Sequence, residues 1–297
     1  MTNSSGSGTT AGAAEAAAFT PQWLSLREGA DAAARSAALI PPLLDRLAAA
    51  PPPDGTLVVR DLGCGTGSLG RWLADRLPGP QHWMLHDRDP RLLALARASL
   101  DGRTTPAGAA VTAAVHEGDL TRLRAADLAG TSLVTASALL DLLTAAELDA
   151  LAAACTGAGC PALLTLSVVG RVTLDPADPL DHEIAEAFDE HQRRESDGRS
   201  LLGPDAVAAA TEAFERHGAT VLSRPSPWRL GPDESALTAE WLRGWVGAAV
   251  EQRPGLTARA DGYLRRRLDT CAAGGLRAEI GHTDLLVLPG APGGDVR

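Results

Sequence analysis

The chain has 297 residues, of which 45% are hydrophobic, and its formal net charge is -10. This length suits one α/β domain with insertions, and an acidic surface repels phosphate backbones, so we expect no nucleic-acid partner. No apolar run approaches the ~18 residues that a membrane span needs, so we expect no membrane partner either.

The cysteines and the first residues indicate a cytoplasmic protein. Cys64, Cys155, Cys160 and Cys271 match no usual zinc spacing, and a chain of this length needs no disulfide scaffold, so we interpret them as reduced thiols. Residues 1–20 are rich in Ser, Gly, Thr and Ala and lack the basic and apolar regions of a signal peptide. We predict a disordered leader there, because small polar residues do not offset the entropy of ordering.

The next part of the chain predicts two helices and then an alternating α/β core. Residues 21–53 have apolar residues at helical spacing and end in three prolines, which favours helices that form a lid. Residues 54–170 alternate strand and helix patterns, which indicates a parallel sheet with helices on both faces. The predicted strands are Thr56 to Leu62, Gln81 to His86, Ala110 to His116, Leu133 to Ser137 and Ala162 to Val169.

The pattern changes after this core. Residues 171–203 are charged and largely helical, which predicts a cap inserted into the fold. Residues 204–297 complete the core with helices over Ser235 to Gln252 and Thr257 to Cys271, and with a last strand over Glu279 to Leu288.

A glycine-rich segment is the most informative part of the sequence. The first core strand ends in Asp61, and Gly63, Gly65 and Gly67 follow it at alternate positions. Glycines there permit positive φ and a close approach of the backbone to a ligand, and the amides of the following helix point at that ligand. Asp87 stands twenty residues past Gly67, where an acid can accept two hydrogen bonds from a ribose diol.

These residues resemble the class I methyltransferases, which depend on S-adenosylmethionine. The resemblance rests on Asp61 to Gly67, on Leu85 to Pro90 and on Glu117 to Leu120, and it covers roughly residues 57–170. It implies a Rossmann-like α/β/α sandwich with a mostly parallel seven-stranded sheet and an antiparallel last strand. It also implies a cofactor site in which each part of the motif contacts one part of the cofactor.

In that implied site, Asp61 and the loop of Gly63, Gly65 and Gly67 hold the methionine part of the cofactor, and Asp87 binds the ribose. Asp119 accepts the adenine amino group beside Leu120, and Ser137 lies near the sulfonium. The implied reaction is methyl transfer to an O or N atom of a small molecule, possibly in specialised metabolism.

Two other functions stay open on the residues alone. The pattern Gly65-x-Gly67-x-x-Gly70 followed by Asp87 also fits the dinucleotide fingerprint of an NAD(P)-dependent oxidoreductase. Against an oxidoreductase, the acid at position 61 would face the negatively charged pyrophosphate of the dinucleotide and repel it. A protein that binds S-adenosylmethionine without transferring the methyl group is the other alternative.

Three side chains are candidates for contact with the acceptor. His191 shares a helix face with Ile184 and Phe188, which directs it toward the body of the protein as a possible base, although a structural histidine fits the same position. Arg27 suits a carboxylate of the cofactor or acceptor, or a surface pair with Asp31. Trp228 follows two prolines and suits either a pocket wall or a purely structural position that closes the core. The His-Glu-x-x-His spacing of a metal site is absent, so no metal is predicted.

Overall fold

The computed structural model describes residues 20–119, 123–196 and 198–290. The leader prediction for residues 1–19 and the predicted role of Leu120 therefore lie outside the described residues. Within the described ranges, no helix combines the length and the apolar character needed to cross a membrane. All four cysteines are buried and none forms a disulfide in the structure.

The described residues contain nine α-helices, several of which begin where the sequence predicts a start. Thr20 caps the first helix by accepting a hydrogen bond from the Trp23 amide at 3.2 Å, and proline occupies its first turn. The helices are α1 (Pro21–Ala34), α2 (Ile40–Ala49), α3 (Ser68–Ala74), α4 (Pro90–Leu100), α5 (Ala145–Gly157), α6 (Asp181–Gln192), α7 (Ala206–Arg216), α8 (Ser235–Gln252) and α9 (Thr257–Ala272).

The strands form one large sheet and one small hairpin. They are β1 (Leu57–Leu62), β2 (Gln81–Asp87), β3 (Arg103–Thr104), β4 (Ala110–Glu117), β5 (Leu133–Ser137), β6 (Ala162–Asp175), β7 (Glu195–Ser196), β8 (Arg199–Ser200), β9 (Ala219–Pro225), β10 (Trp228–Leu230) and β11 (Arg277–Pro289). The large sheet has the order β10-β11-β6-β5-β1-β2-β4-β3, with β9 also paired to β11.

The sheet confirms the predicted Rossmann-like class and corrects the number of strands. β1 pairs in parallel with β2 and β5, whereas β11 pairs antiparallel with β6. The sheet has nine strands instead of seven, because the short strands β3 and β10 add to its edges. β6 also continues to Asp175, past the expected end at Val169.

Three apolar clusters show how the layers pack. Helices α2, α3 and α4 cover one face of the sheet with residues such as Leu43 and Leu73. Helices α5 and α7 cover the other face, where Leu151 and Phe214 are buried. The third cluster joins α6, α8 and α9 to the ends of β6 and β11, and it forms a helical lobe beside the carboxyl edge of the parallel strands.

Candidate active site

The glycine segment forms a tight loop between β1 and α3. Gly65 and Gly67 have φ values of +54° and +83°, which side-chain-bearing residues rarely adopt. A Cβ atom on Gly65 would lie 3.2 Å from Leu24 Cδ1, and one on Gly67 would lie 3.2 Å from the Ala96 Cα. Glycine is therefore needed for the backbone conformation and for the packing of α1 and α4 around the loop.

This loop forms the floor of a cavity of about 660 Å³, which we call the glycine-loop cavity. It lies at the carboxyl ends of β1, β2 and β5, where ligands bind in open parallel sheets, and its volume is typical of a small-molecule site. Of the residues predicted for the cofactor, it brings together Asp61, Gly63, Gly65, Asp87 and Ser137.

Two described residues that were predicted to hold the cofactor are not part of this wall. Gly67 lies directly before α3 and packs against α4, so it shapes the loop without lining the cavity. Asp119 is exposed just after β4 and is not among the lining residues. Leu120 is outside the described residues.

Asp87 is held in a defined orientation by two backbone amides. Its Oδ2 accepts a hydrogen bond from the Gly65 amide at 2.9 Å, and its Oδ1 accepts one from the Asp89 amide at 3.0 Å. Each carboxylate oxygen has a further lone pair for a ligand. The side chain therefore presents a fixed pair of acceptors to the cavity.

Two buried charged residues face the same cavity with unfilled hydrogen-bonding capacity. Asp61 is 1% exposed, its Oδ1 accepts from the Thr135 hydroxyl at 2.8 Å, and its Oδ2 has no hydrogen-bond partner. Burial raises the pKa of Asp61 to about 7. Leaving such an atom unsatisfied costs free energy, so the arrangement favours a ligand that donates to it.

Arg35 is a candidate site residue that the sequence analysis missed. It is 4% exposed, and its Nη2 donates to the hydroxyls of Ser68 and Ser137 at 3.1 and 3.3 Å. Its Nε and Nη1 have no hydrogen-bond partner, and burial lowers the pKa of its guanidinium. Arg35 lies one residue past the end of α1, so its direction depends on where that helix ends. No sequence pattern that we used fixes that position.

Arg27, Asp31 and Trp228 form one cluster at the mouth of the cavity. The Arg27 Nε donates to Asp31 Oδ2 at 2.9 Å, so the surface pair that the sequence left open is present, although Asp31 is buried. Trp228 donates from Nε1 to Asp31 Oδ1 at 3.0 Å, and the Arg27 guanidinium carbon lies 5.1 Å from the centre of the Trp228 ring. The two predicted acceptor residues are thus in contact with each other.

A second cavity, of about 170 Å³, lies on the other side of this cluster. Four of the six tryptophans of the chain line it, so we call it the tryptophan cavity: Trp23, Trp228, Trp241 and Trp245. Arg27, Ala138 and Leu142 line both cavities, so the two adjoin each other. A molecule in the tryptophan cavity would be next to a ligand in the glycine-loop cavity.

Backbone strain is concentrated at the tryptophan cavity. Ala138 and Leu166 are the non-glycine residues with positive φ in the described ranges, at 51° and 57°, and both line this cavity. Such a conformation costs about 1–3 kcal/mol per residue and persists only where its surroundings enforce it. Asp284 helps to enforce it, because its Oδ1 accepts a hydrogen bond from the Leu166 amide at 2.8 Å.

His191 does not lie at the cleft, which corrects the expectation from helical phase. Its Nε2 is 3.4 Å from Glu251 on α8, and it lines neither the glycine-loop cavity nor the tryptophan cavity. The reason is that α6 packs against both α8 and β6, so its buried residues point in two directions. Asp189, on the same helix, does line the tryptophan cavity, whereas His182 is exposed.

The histidine that does reach the tryptophan cavity is His282, on β11. It is 5% exposed, and burial lowers its pKa to about 4, so it is neutral at pH 7. No group of three or more potential ligands able to hold a metal ion occurs in the part of the chain that the structure describes.

Comparisons with known proteins agree with this geometry. A family model described as a methyltransferase domain matches residues 59–158, from β1 to the end of α5. No curated protein matches the chain in sequence.

Two solved structures illustrate what the fold is similar to. The cyclopropane synthase MmaA2 from Mycobacterium tuberculosis is 14% identical, with 84% of this chain and 83% of that chain covered and a TM-score of 0.44. A methyltransferase from Geobacter sulfurreducens, in complex with S-adenosyl-L-homocysteine, is 16% identical, with 91% and 99% covered and a TM-score of 0.43. At these values we transfer neither a substrate nor a mechanism from either protein.

The sheet order and the glycine-loop cavity define a Rossmann-like cofactor-binding domain. The family match makes the assignment more specific, because the matched segment contains the glycine loop, Asp87 and Ser137. Residues 59–158 thus match a methyltransferase domain, as the resemblance to the class I methyltransferases predicts, and the cofactor of that class is S-adenosylmethionine.

Proposed function

We propose that the chain transfers a methyl group from S-adenosylmethionine to an O or N atom of a small molecule bound in the tryptophan cavity. S-adenosylmethionine supplies an electrophilic methyl group when bound. The protein must then hold the acceptor beside the cofactor and exclude water, which orientation and burial achieve. The shared wall of Arg27, Ala138 and Leu142 supports this arrangement.

The buried, unpartnered atoms of Asp61 and Arg35 are the observation that carries the proposal. A methionine group has an ammonium and a carboxylate next to each other. The ammonium would donate to Asp61 Oδ2, and the carboxylate would accept from Arg35 Nε and Nη1. Both side chains line the glycine-loop cavity, so one zwitterionic group satisfies three atoms that have no other partner.

The remaining cofactor contacts follow from the other end of the cavity. The oriented carboxylate of Asp87 would accept hydrogen bonds from the ribose diol. Asp119 and Leu120 stay predictions for the adenine ring, on the resemblance alone. A dinucleotide fits less well, because its pyrophosphate would lie near the buried carboxyl group of Asp61.

Transfer of a labelled methyl group tests the proposal. The purified chain is incubated with S-adenosylmethionine carrying a tritiated methyl group and with a mixture of small-molecule O and N acceptors. We expect label in a low-molecular-mass product other than the cofactor, and loss of that label in Asp87→Ala. Binding of S-adenosylhomocysteine without any transfer would instead favour a protein that only binds the cofactor.

A further inference from the structure

The tryptophan cavity contains a concentration of buried polar atoms that have no hydrogen-bond partner. The described residues contain nine such atoms, and four of them belong to residues that line this cavity: Asp141 Oδ1, Gln192 Oε1, Trp245 Nε1 and His282 Nδ1. Trp245 and His282 are only 2% and 5% exposed. Each unsatisfied atom costs about 1–3 kcal/mol, so four around one space indicate a built binding site.

The charges around this cavity are not balanced. Asp141 and Asp189 both line it, and neither forms an ion pair with another described residue. The cations near them are engaged elsewhere, because Arg27 pairs with Asp31 at 2.9 Å and Arg193 pairs with Asp205 at 2.6 Å. Asp141 and Asp189 therefore line the cavity without an ion pair of their own, and the positive charges that act on them, Arg27 and Arg193, are each paired with another carboxylate.

Burial makes this imbalance energetically significant. It raises the pKa of Asp189 to about 6 and also raises the pKa of Asp141. A Cβ atom on Gly170 would lie 2.5 Å from Asp189 Oδ2, so the absence of a side chain at position 170 makes room for this carboxyl group. A bound cation would favour the ionised form of both groups.

The other titratable groups on the wall do not cancel this charge. Arg171 lines the cavity but is exposed, so water screens its guanidinium. His282 is neutral at pH 7 because burial lowers its pKa to about 4. The interior of the cavity therefore has a negative character.

Aromatic faces complete the recognition of a cation. The rings of Trp241 and Trp245 stack with centroids 5.0 Å apart, and those of Trp23 and Trp228 lie 6.5 Å apart. Aromatic rings attract cations through their electron-rich faces, and tryptophan does so most strongly. The volume of about 170 Å³ is similar to that of an engineered cavity of ~150 Å³ that binds benzene.

We propose that the tryptophan cavity binds a protonated amine about the size of one aromatic ring, with its ammonium group at Asp141 and Asp189. This rests on the proposed function only in making that amine the methyl acceptor, for which the ammonium would first give a proton to the carboxylate of Asp141 or Asp189 so that its nitrogen has a free lone pair. Asp141 is the residue that would place the nitrogen next to the cofactor, because its chain neighbour Leu142 lines both cavities.

Tryptophan fluorescence tests this specificity without cofactor or turnover. Benzylamine, benzyl alcohol and benzoate are titrated into the wild-type chain, since they share one ring and differ in charge. We expect benzylamine to bind at least ~10-fold more tightly than benzyl alcohol, about 1.4 kcal/mol, and benzoate to bind most weakly. Equal or tighter binding of the alcohol or of benzoate, or no binding of benzylamine, overturns the proposal.

The matched variants assign the preference to the two carboxyl groups. Asp141→Asn with Asp189→Asn keeps the shapes and should remove the preference for the amine while leaving the binding of benzyl alcohol. Asp149→Asn, at an exposed carboxylate paired with Arg216, is the control and should change nothing. A preference that survives the double substitution overturns the proposal.

A pH titration of the wild type keeps the test valid if the double variant does not fold. Benzylamine stays protonated on acidification, whereas Asp189 and Asp141 take up protons and lose their negative charge. The affinity for benzylamine should therefore fall below about pH 6, and the affinity for benzyl alcohol should not. A constant preference down to pH 4 contradicts the proposal. Amine binding without binding of S-adenosylhomocysteine would refute the methyltransferase function and leave the amine site intact.

Discussion

Arg35→Met should weaken cofactor binding strongly while leaving the fold intact. Arg35 lines the glycine-loop cavity, and its Nε and Nη1 are buried without a hydrogen-bond partner in the protein. A hydrogen bond to a charged group contributes about 1.5–3 kcal/mol. Loss of two non-additive bonds should therefore cost ~2–4 kcal/mol, which raises the Kd for S-adenosylhomocysteine roughly 30- to 1,000-fold.

The stability of the ligand-free protein should change little in this variant. The substitution removes the hydrogen bonds to Ser68 and Ser137, but it also removes the cost of burying a charge with two unsatisfied N–H groups. Calorimetric titration gives the affinity, and urea denaturation of the ligand-free protein gives the free energy of unfolding. The two measurements separate a binding role from a structural one.

Arg46→Met is the matched control for this experiment. Arg46 also lies in the N-terminal helices, but it donates from Nη2 to the Gly159 carbonyl at 3.0 Å and does not line the cavity. The affinity of the Arg46→Met variant for S-adenosylhomocysteine should equal that of the wild type. Unchanged affinity in Arg35→Met, or a loss of affinity no larger than in the control, would refute the assigned role.

Three further predictions concern other residues of the account. Because burial raises the pKa of Asp61 to about 7, the free energy of unfolding of the ligand-free protein should decrease as pH rises from about 4 to 7. Urea denaturation at several pH values should show a weaker dependence of this free energy on pH in Asp61→Asn. The same dependence in the wild type and the variant would contradict the prediction. Gly65→Val should melt cooperatively but bind no S-adenosylhomocysteine in calorimetry, since φ is +54° and Leu24 is close; wild-type affinity would place the ligand elsewhere. His191→Ala should keep turnover within about twofold, because His191 contacts Glu251 and not the cleft. A ~100-fold loss of turnover would contradict this and support the original assignment of His191 as a base at the cleft.

The sequence predicts the repeating architecture well, because that part depends on local patterns. α8, for example, begins and ends where helical periodicity predicts, at Ser235–Gln252. The glycine loop is equally predictable, since an acid-ended strand followed by alternate glycines leaves few other conformations. The strands β3 and β10 escape prediction because they are too short to show a period of two.

The acceptor side depends on contacts that no local pattern contains. The tryptophan cavity combines Trp23 of α1, Trp228 of β10 and Trp245 of α8, which lie far apart in the sequence. Helical spacing suggests a purely structural role for Trp245, although this residue lines the cavity and its Nε1 has no hydrogen-bond partner. His191 shows the opposite error, because an apolar helix face indicates burial but not which neighbour the face meets.

A calorimetric titration of the wild-type chain with S-adenosylhomocysteine and, separately, with NAD tests the central claim most directly. The glycine-loop cavity with Arg35, Asp61 and Asp87 predicts one S-adenosylhomocysteine per chain, with a Kd of about 1 μM or tighter, which corresponds to ~8 kcal/mol. It predicts no measurable binding of NAD. Binding of NAD in place of S-adenosylhomocysteine would contradict the account.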